Sequence, residues 1–290
     1  MTLELPVLVG IDGSRDGLIA LTWAAAYAAV QRAPLHAVYV LDDDRQLPAG
    51  GPPSKAEGPD DGTEVLDEAL QELGRIGFHA ASLEVRHGQP ARVLLELSEQ
   101  SQALVVGRRG MGGFAELVLG STSQVCTALA TKVPLIVVPD IWDPAAPAHN
   151  RYVVGVDGSV EGQEAVRFAF ELAEQTGTEL LGVHAIEVRE TYPDPNSWFD
   201  PARPWIETAD ELLTQTLDGW TAKYPDVTVH SHGVVDHPVL VLARESRDAD
   251  LIVVGGLGRT AFSELRMGSV ARGLLYHSHC PVAVVHHQER

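Results

Sequence analysis

Three glycines recur at one fixed distance along this chain, and that recurrence limits its fold more than any other feature. Gly107, Gly110 and Gly120 are matched by Gly255, Gly258 and Gly268, each pair 148 positions apart. In both copies an apolar run leads in, Ala103-Leu104-Val105-Val106 and Leu251-Ile252-Val253-Val254. In both, a helical pattern opens just after the third glycine, on Ser121-Thr122 and on Ser269-Val270. A constant offset between spaced positions marks an internal repeat. Two copies of one unit are therefore expected, which suits 290 residues at roughly 150 per domain. The expected division is a first domain over 1–142, a linker over 143–150 with Pro144 and Pro147, and a second domain over 151–290.

Each copy alternates short apolar runs with helical spacing. In the first, 7–11 reads as a strand ending in Asp12-Gly13-Ser14, and 16–32 as a helix with Leu18, Leu21, Ala25 and Ala28 on one stripe. Ser14 or Asp16 is the expected N-cap, and Pro34 marks the stop. Further strands are expected over 36–41, 81–86, 104–106 and 134–138, and helices over 65–76, 90–99 and 121–130. The second copy restarts at Tyr152-Val153-Val154-Gly155-Val156-Asp157-Gly158-Ser159, which repeats 7–14, and keeps the order. Such alternation implies an α/β fold: a parallel, open, doubly wound sheet of five strands in each copy.

The offset is 145 at Asp12/Asp157, 148 at the glycines and 147 at Pro134/Pro281, so small insertions separate the copies. Ser121 to Pro134 is one residue longer than Ser269 to Pro281, and a register shift in the last helix or strand of the first copy is expected. The copies differ most over 42–62, acidic with Pro and Gly, and over 187–204, rich in Pro and aromatics. Both segments read as mobile.

The net charge of −19 argues against a broad nucleic-acid or anionic-membrane surface. No apolar run reaches the roughly 18–20 residues that cross a bilayer. The start, Met1-Thr2-Leu3-Glu4-Leu5-Pro6, lacks a basic region followed by an apolar core, so no signal peptide is expected. Cys126 and Cys280 make no disulfide framework, and a cytoplasmic location is expected.

In an open parallel sheet, ligands bind beyond the carboxyl ends of the strands, where strand order reverses. If the first and fourth strands of each copy are neighbours, Asp12 and the Gly107 loop line one crevice, and Asp157 and the Gly255 loop another. Glycines let backbone approach an anion, and the first N–H groups of a helix lack intrahelical partners. The loop amides and the hydroxyls of Ser121 and Thr122 would then hold phosphate, while Asp12 accepts from a ribose hydroxyl or a base amine. Two plainer readings compete: glycines serving close helix–strand packing, and aspartates capping the next helix. Arg108 and Arg109 read as solvated and outside the site.

These motifs resemble the universal stress protein family in its tandem form. The carrying residues are Val9-Gly10-Ile11-Asp12-Gly13-Ser14 with Gly107-x-x-Gly110, nine residues, then Gly120-Ser121. Their second set is Val154-Gly155-Val156-Asp157-Gly158-Ser159 with Gly255-x-x-Gly258, nine residues, then Gly268-Ser269. The resemblance covers nearly the whole chain, and the glycine spacing is similar to that of the family's ATP-binding branch. It implies the adenine nucleotide α-hydrolase-like fold, ordered 3-2-1-4-5, with the two copies paired through their last strands. It implies ATP, with Mg, in each half.

The implied ATP-binding set is Gly10, Asp12, Val40, Gly107, Gly110, Gly120, Ser121 and Thr122, then Gly155, Asp157, Ala185, Gly255, Gly258, Gly268, Ser269 and Val270. In it the backbone at Val40 and Ala185 meets adenine. The implied role is a stress-response sensor or switch. The second loop departs from the family pattern at Leu257, Arg259 and Thr260. Gln102 stands where Asp250 precedes the second loop's strand, which reads as surface variation.

Absent motifs narrow the chemistry. There is no Gly-x-x-x-x-Gly-Lys-Ser/Thr, no Gly-x-Gly-x-x-Gly in the first turn and no Gly-x-Ser-x-Gly. Neither a general base nor an arginine finger is evident beside the loops, so no catalytic residue is named. His277, His279, Cys280, His286 and His287 lack a closed metal-ligand spacing. Slow ATP hydrolysis, and a scaffold or holdase-like role with silent sites, stay open beside the sensor reading. The expected partners are ATP, a second copy of the chain in a homodimer, and proteins the sequence does not name; nucleic acid and membrane are not expected.

Overall fold

Apolar runs become buried parallel strands when helices cover both faces of a sheet, and this chain does so twice. The computed structural model describes residues 5–42, 62–110, 119–129, 132–188, 202–258 and 267–287, in two units over 1–140 and 141–290. Most of the two segments read as mobile, 43–61 and 189–201, lies outside the described residues, as do 111–118 and 259–266 within the glycine loops.

The first unit runs β1 (Val7–Ile11), α1 (Arg15–Gln31), β2 (Leu35–Leu41), α2 (Thr63–Arg75), β3 (Ala81–His87), α3 (Pro90–Ser98), β4 (Ala103–Gly107), α4 (Ser121–Leu129) and β5 (Leu135–Val138). Its strands lie in the order β3-β2-β1-β4-β5, and every pairing between described neighbours is parallel. The second runs β6 (Arg151–Gly155), α5 (Val160–Thr176), β7 (Glu179–Ala185), α6 (Arg203–Lys223), β8 (Val229–Val234), α7 (Pro238–Glu245), a 3-10 turn (Ser246–Asp248), β9 (Leu251–Gly255), α8 (Ser269–His277) and β10 (Val282–Val285). Its order, β8-β7-β6-β9-β10, is the same plan. The expected 3-2-1-4-5 arrangement therefore holds in each unit.

Right-handed crossovers place the helices in pairs on opposite faces: α1 packs on α2 and α3 on α4, with α5 on α6 and α7 on α8 likewise. The strand order reverses between β1 and β4, which separates the two pairs. Central strands are apolar throughout, with Val7, Leu8, Val9, Leu104 and Val105 fully buried in one unit and Val153, Val154, Ile252 and Val253 in the other. Helix α1 shows more than the single stripe expected: Ala20, Leu21, Ala24, Ala25 and Ala28 are buried, and so are Trp23 and Tyr27, because the helix is wedged between the sheet and α2. The second core is filled instead by Phe170, whose ring lies 6.2 Å from Trp220 and 5.8 Å from Tyr224.

Three expectations are corrected. The last helix and strand of the first unit keep the register of the second: Leu104 pairs with Leu135 and Gly107 with Val138, as Ile252 pairs with Val282 and Gly255 with Val285. Helices α4 and α8 are both 9 residues long. The extra residue falls in the connection, 130–134 against 278–281, where no ladder constrains length. Helix α6 starts at Arg203, inside the segment read as loop; Pro204 is tolerated in the first turn, where a backbone N–H has no helical acceptor. Gln102 and Asp250 are not surface variation. The Gln102 side chain donates to the Leu5 carbonyl at 2.7 Å, and Asp250 accepts from the amides of His149 and Arg151 at 2.9 and 3.2 Å. Each fastens the lead into its unit's first strand.

Candidate functional site

The Asp-Gly-Ser turn after β1 has one local job before any other. Gly13 takes φ +75°, a left-handed conformation that lets the chain reverse from strand to helix, and Gly158 repeats it at +74°. Ser14 then caps α1: its Oγ accepts from the amide of Gly17 at 3.0 Å, as Ser159 accepts from Gly162 at 2.9 Å. Asp12 is not the cap. Its Oδ1 accepts from both the amide (3.0 Å) and the hydroxyl (2.5 Å) of Ser14, so the aspartate orients the cap. Asp157 does the same for Ser159, at 2.9 and 2.6 Å.

The three glycines of each loop do three different things. A Cβ at Gly107 would stand 2.8 Å from the backbone oxygen of Asp16, and one at Gly255 3.0 Å from the backbone of Glu161 and Gly162. This first glycine seats the strand end against the helix start, which is the packing reading. A Cβ at Gly110 would overlap Oδ2 of Asp12, and one at Gly258 would lie 2.9 Å from Oδ2 of Asp157. The middle glycine thus brings bare backbone onto the carboxylate. A Cβ at Gly120 would sit 3.4 Å from Cα of Arg109 and 3.6 Å from the amide nitrogen of Gly110; at Gly268 the neighbours are Gly256, Gly258 and Leu257 at 3.3–3.6 Å. The third glycine folds the helix start back over the loop. The amide of Gly120 donates to the Arg108 carbonyl at 2.9 Å, and that of Gly268 to Gly256 at 2.7 Å.

Other members of the expected set have clear places. Ile11 pairs with Tyr39 and Gly155 with Val183. Continued in parallel register, this sets Asp12 beside Val40 and Asp157 beside Ala185, at the carboxyl ends of adjacent strands. Ser121 is exposed and Thr122 half-buried in the first turn of α4, with Ser269 and Val270 equivalent in α8. A Cβ at Gly10 would meet Leu94 of α3 at 2.6 Å, and one at Gly155 would meet Val254 of β9 at 3.1 Å and Leu242 of α7 at 3.3 Å. Their role in the structure is close packing under those helices.

Sequence reading missed the part played by five residues. Arg108 and Arg109 are not simply solvated, for both guanidinium groups pair with Asp140, just past β5. Arg109 also donates its amide to Oδ2 of Asp16 at 3.1 Å. Asp16 is buried, and burial together with the Asp140 charge raises its pKa despite the two arginines. Burial acts the same way on Asp140, but Arg108 and Arg109 outweigh it and hold that carboxyl below its ordinary value. Ser123, buried, donates to the Gly107 carbonyl at 2.6 Å and ties α4 to the end of β4. The signal for Ser123 was available, as the third hydroxyl of Ser121-Thr122-Ser123; nothing in sequence brings Asp140 to Arg108.

The second unit has other side chains at these places. Gly256 and Leu257 stand for the arginines, Glu161 for Asp16, His287 for Asp140 and Ala271 for Ser123. A Cβ at Gly256 would overlap the ring of His286, and His287 lies 3.8 Å from Glu164. Among the described residues no group of three or more His, Cys, Asp or Glu is arranged to hold a metal ion, and no helix is long and apolar enough to cross a membrane.

Comparison with known proteins settles the family. The model of the universal stress protein family matches this chain twice, over 5–139 and 149–286. The chain belongs to the universal stress protein family. A universal stress protein of Mycolicibacterium smegmatis is 31% identical over 290 residues, covering 97% of each chain. One from Mycobacterium tuberculosis is 31% identical over 302 residues, covering 97% of this chain and 95% of the other. Among solved structures, a universal stress protein from Archaeoglobus fulgidus superposes with a TM-score of 0.67 at 20% identity, covering 98% of both chains. The tandem form is thus shared along the full length of these relatives.

Proposed function

We propose that this universal stress protein binds ATP in both halves, in two domains over 1–142 and 151–290 joined by 143–150, and works as a nucleotide-responsive switch. One observation carries the reading: a bare glycine backbone, Gly110 or Gly258, lies against an aspartate held in place by its own helix cap. The carboxylate suits a ribose hydroxyl, and the backbone at Val40 or Ala185 beside it suits the adenine edge. Phosphates then extend over the loop toward the first turn of α4 or α8, whose amides lack helical acceptors. In the first loop the amides of Arg108, Arg109 and Gly120 are already donated within the protein. Among the described residues the anion is left to Gly110 and the start of α4.

A triphosphate adds negative charge beside Asp12 or Asp157 in a chain of net charge −19. Mg held by the phosphates offsets it, in keeping with the way that ion is usually bound beside nucleotides. Occupancy shifts a conformational equilibrium only if ATP binds one state better. Equilibrium dialysis of nucleotide-free protein, with and without Mg, tests the reading. Uptake of two ATP per chain is expected, and no uptake at millimolar ATP sinks it. Turnover lost on combining Asp12→Ala with Asp157→Ala would move the reading to a slow ATPase.

A further inference from the structure

The two loops place their glycines alike, yet among the described residues only the first is fastened from below. Asp16, buried at the start of α1, takes the amide of Arg109 on Oδ2 at 3.1 Å while its own backbone supports Gly107. The Arg109 guanidinium lies 3.8 Å from the same Oδ2, and its far end is held by Asp140, which also takes Arg108. The Gly120 amide donates to the Arg108 carbonyl at 2.9 Å, and a Cβ on Gly120 would stand 3.4 Å from the Arg109 Cα, so the fastening reaches the first turn of α4. In the second half Glu161 holds the Asp16 position and Leu257 the Arg109 position; among the described residues no hydrogen bond joins them. His287 replaces Asp140 and turns to Glu164.

We propose that Asp16 is a positioning residue for the first loop, and that it makes the first half the tighter of the two nucleotide sites; this rests on the ATP reading above. Asp16 does not touch the ligand. Two arginines face two carboxylates in this cluster, so it offers phosphate little net charge. Its effect is geometric: a loop already fixed in its binding shape loses less conformational freedom when an anion arrives. Among the described residues the second loop lacks this amide-to-carboxylate bond, so more of its ordering falls to the ligand.

The test uses the full chain with one half closed at a time. In a Gly268→Val background, ATP is titrated calorimetrically into protein carrying native Asp16, Asp16→Ala or Asp16→Asn. The alanine variant is expected to bind about tenfold more weakly, the scale of one lost hydrogen bond to a charged group. The asparagine variant keeps a carbonyl oxygen for the Arg109 amide and is expected to recover most of that loss. In a Gly120→Val background, Glu161→Ala is expected to change affinity by less than about twofold. Amide exchange over 103–110 should quicken in Asp16→Ala and not in Asp16→Asn, with or without ATP. If Asp16→Ala does not reach a native fold, Asp16→Ser takes its place with the same expectation.

Native-like affinity in the alanine or serine variant overturns the proposal, as does an asparagine variant no better than alanine. Equal native affinity of the two halves overturns it as well. No uptake by Gly268→Val protein with native Asp16 fails the nucleotide reading for that half and takes the proposal with it, and is visible before Asp16 is touched.

Discussion

The two glycine loops of this chain place their glycines alike and differ in what supports them. Both bring a bare glycine against an aspartate and fold a helix start over it. The first is braced by side chains, with Ser123 on the Gly107 carbonyl, Asp16 on the Arg109 amide and Asp140 on both arginines. The second is packed, with the His286 ring filling the space over Gly256 and Ala271 buried where Ser123 stands. What is held in common is the part that would meet a ligand. The supports differ, because different side chains can hold the described glycines of the two loops in like places.

The sharpest way to break this comparison is to fill the cradle itself. Gly110→Val and Gly258→Val push carbon onto Asp12 or Asp157, and each is expected to weaken ATP binding in its own half by about 100-fold or more, lowering stoichiometry by one site. The corresponding alanine variants should be unequal, with Gly110→Ala the worse, since a Cβ overlaps Asp12 there but clears Asp157 by 2.9 Å. Calorimetric stoichiometry reads both.

A second contrast concerns fold stability. Gly256→Ala forces the buried His286 ring to move and is expected to destabilise the second half by about 1–3 kcal/mol, the usual range for overpacking. The first half accepts a full arginine at the matching position, Arg108. Denaturant midpoints followed by unit-specific amide exchange check this. Smaller still, Ser123→Ala removes a buried hydrogen bond and is expected to destabilise the first half by about 1 kcal/mol. Ala271 has no hydroxyl to lose.

The smallest effect is on pH dependence. The arginines hold the Asp140 pKa below 3.8, so its stabilising contribution is complete above that value and fades as pH falls through the folded value. Asp16 runs the other way: its raised pKa means that ionisation is penalised as pH climbs past 3.8, which opposes the Asp140 effect. Urea midpoints from about pH 5 to pH 2 should therefore fall less steeply in Asp140→Asn than in the native chain. An equal slope would show that Asp140 contributes nothing net.

Much of this was legible because periodicity and apolar runs are local signals. The alternation after Val7 and after Tyr152 gave the elements, and the glycine offset gave the repeat. Asp12 and Asp157 were found as motif residues, though their work on Ser14 and Ser159 emerged only with the hydrogen bonds. The Asp140 pairing could not be read, since it joins residues about thirty positions apart through two strand ends. The register shift expected from one extra residue failed for a related reason: strand pairing fixes the ladder and pushes length differences into loops.

The main-chain character of the cradle bears on how such a site is inherited. Gly110, Gly120, Gly258 and Gly268 lie outside every strand and helix, so a side chain there fills the crevice without entering the buried sheet. Nearly every change in the first two bases of a glycine codon brings one in. A single point mutation can therefore silence one crevice while its twin and the whole scaffold persist. On the ATP reading proposed above, duplication gives this chain a spare, and descendants with two, one or no binding crevices are each one small step apart.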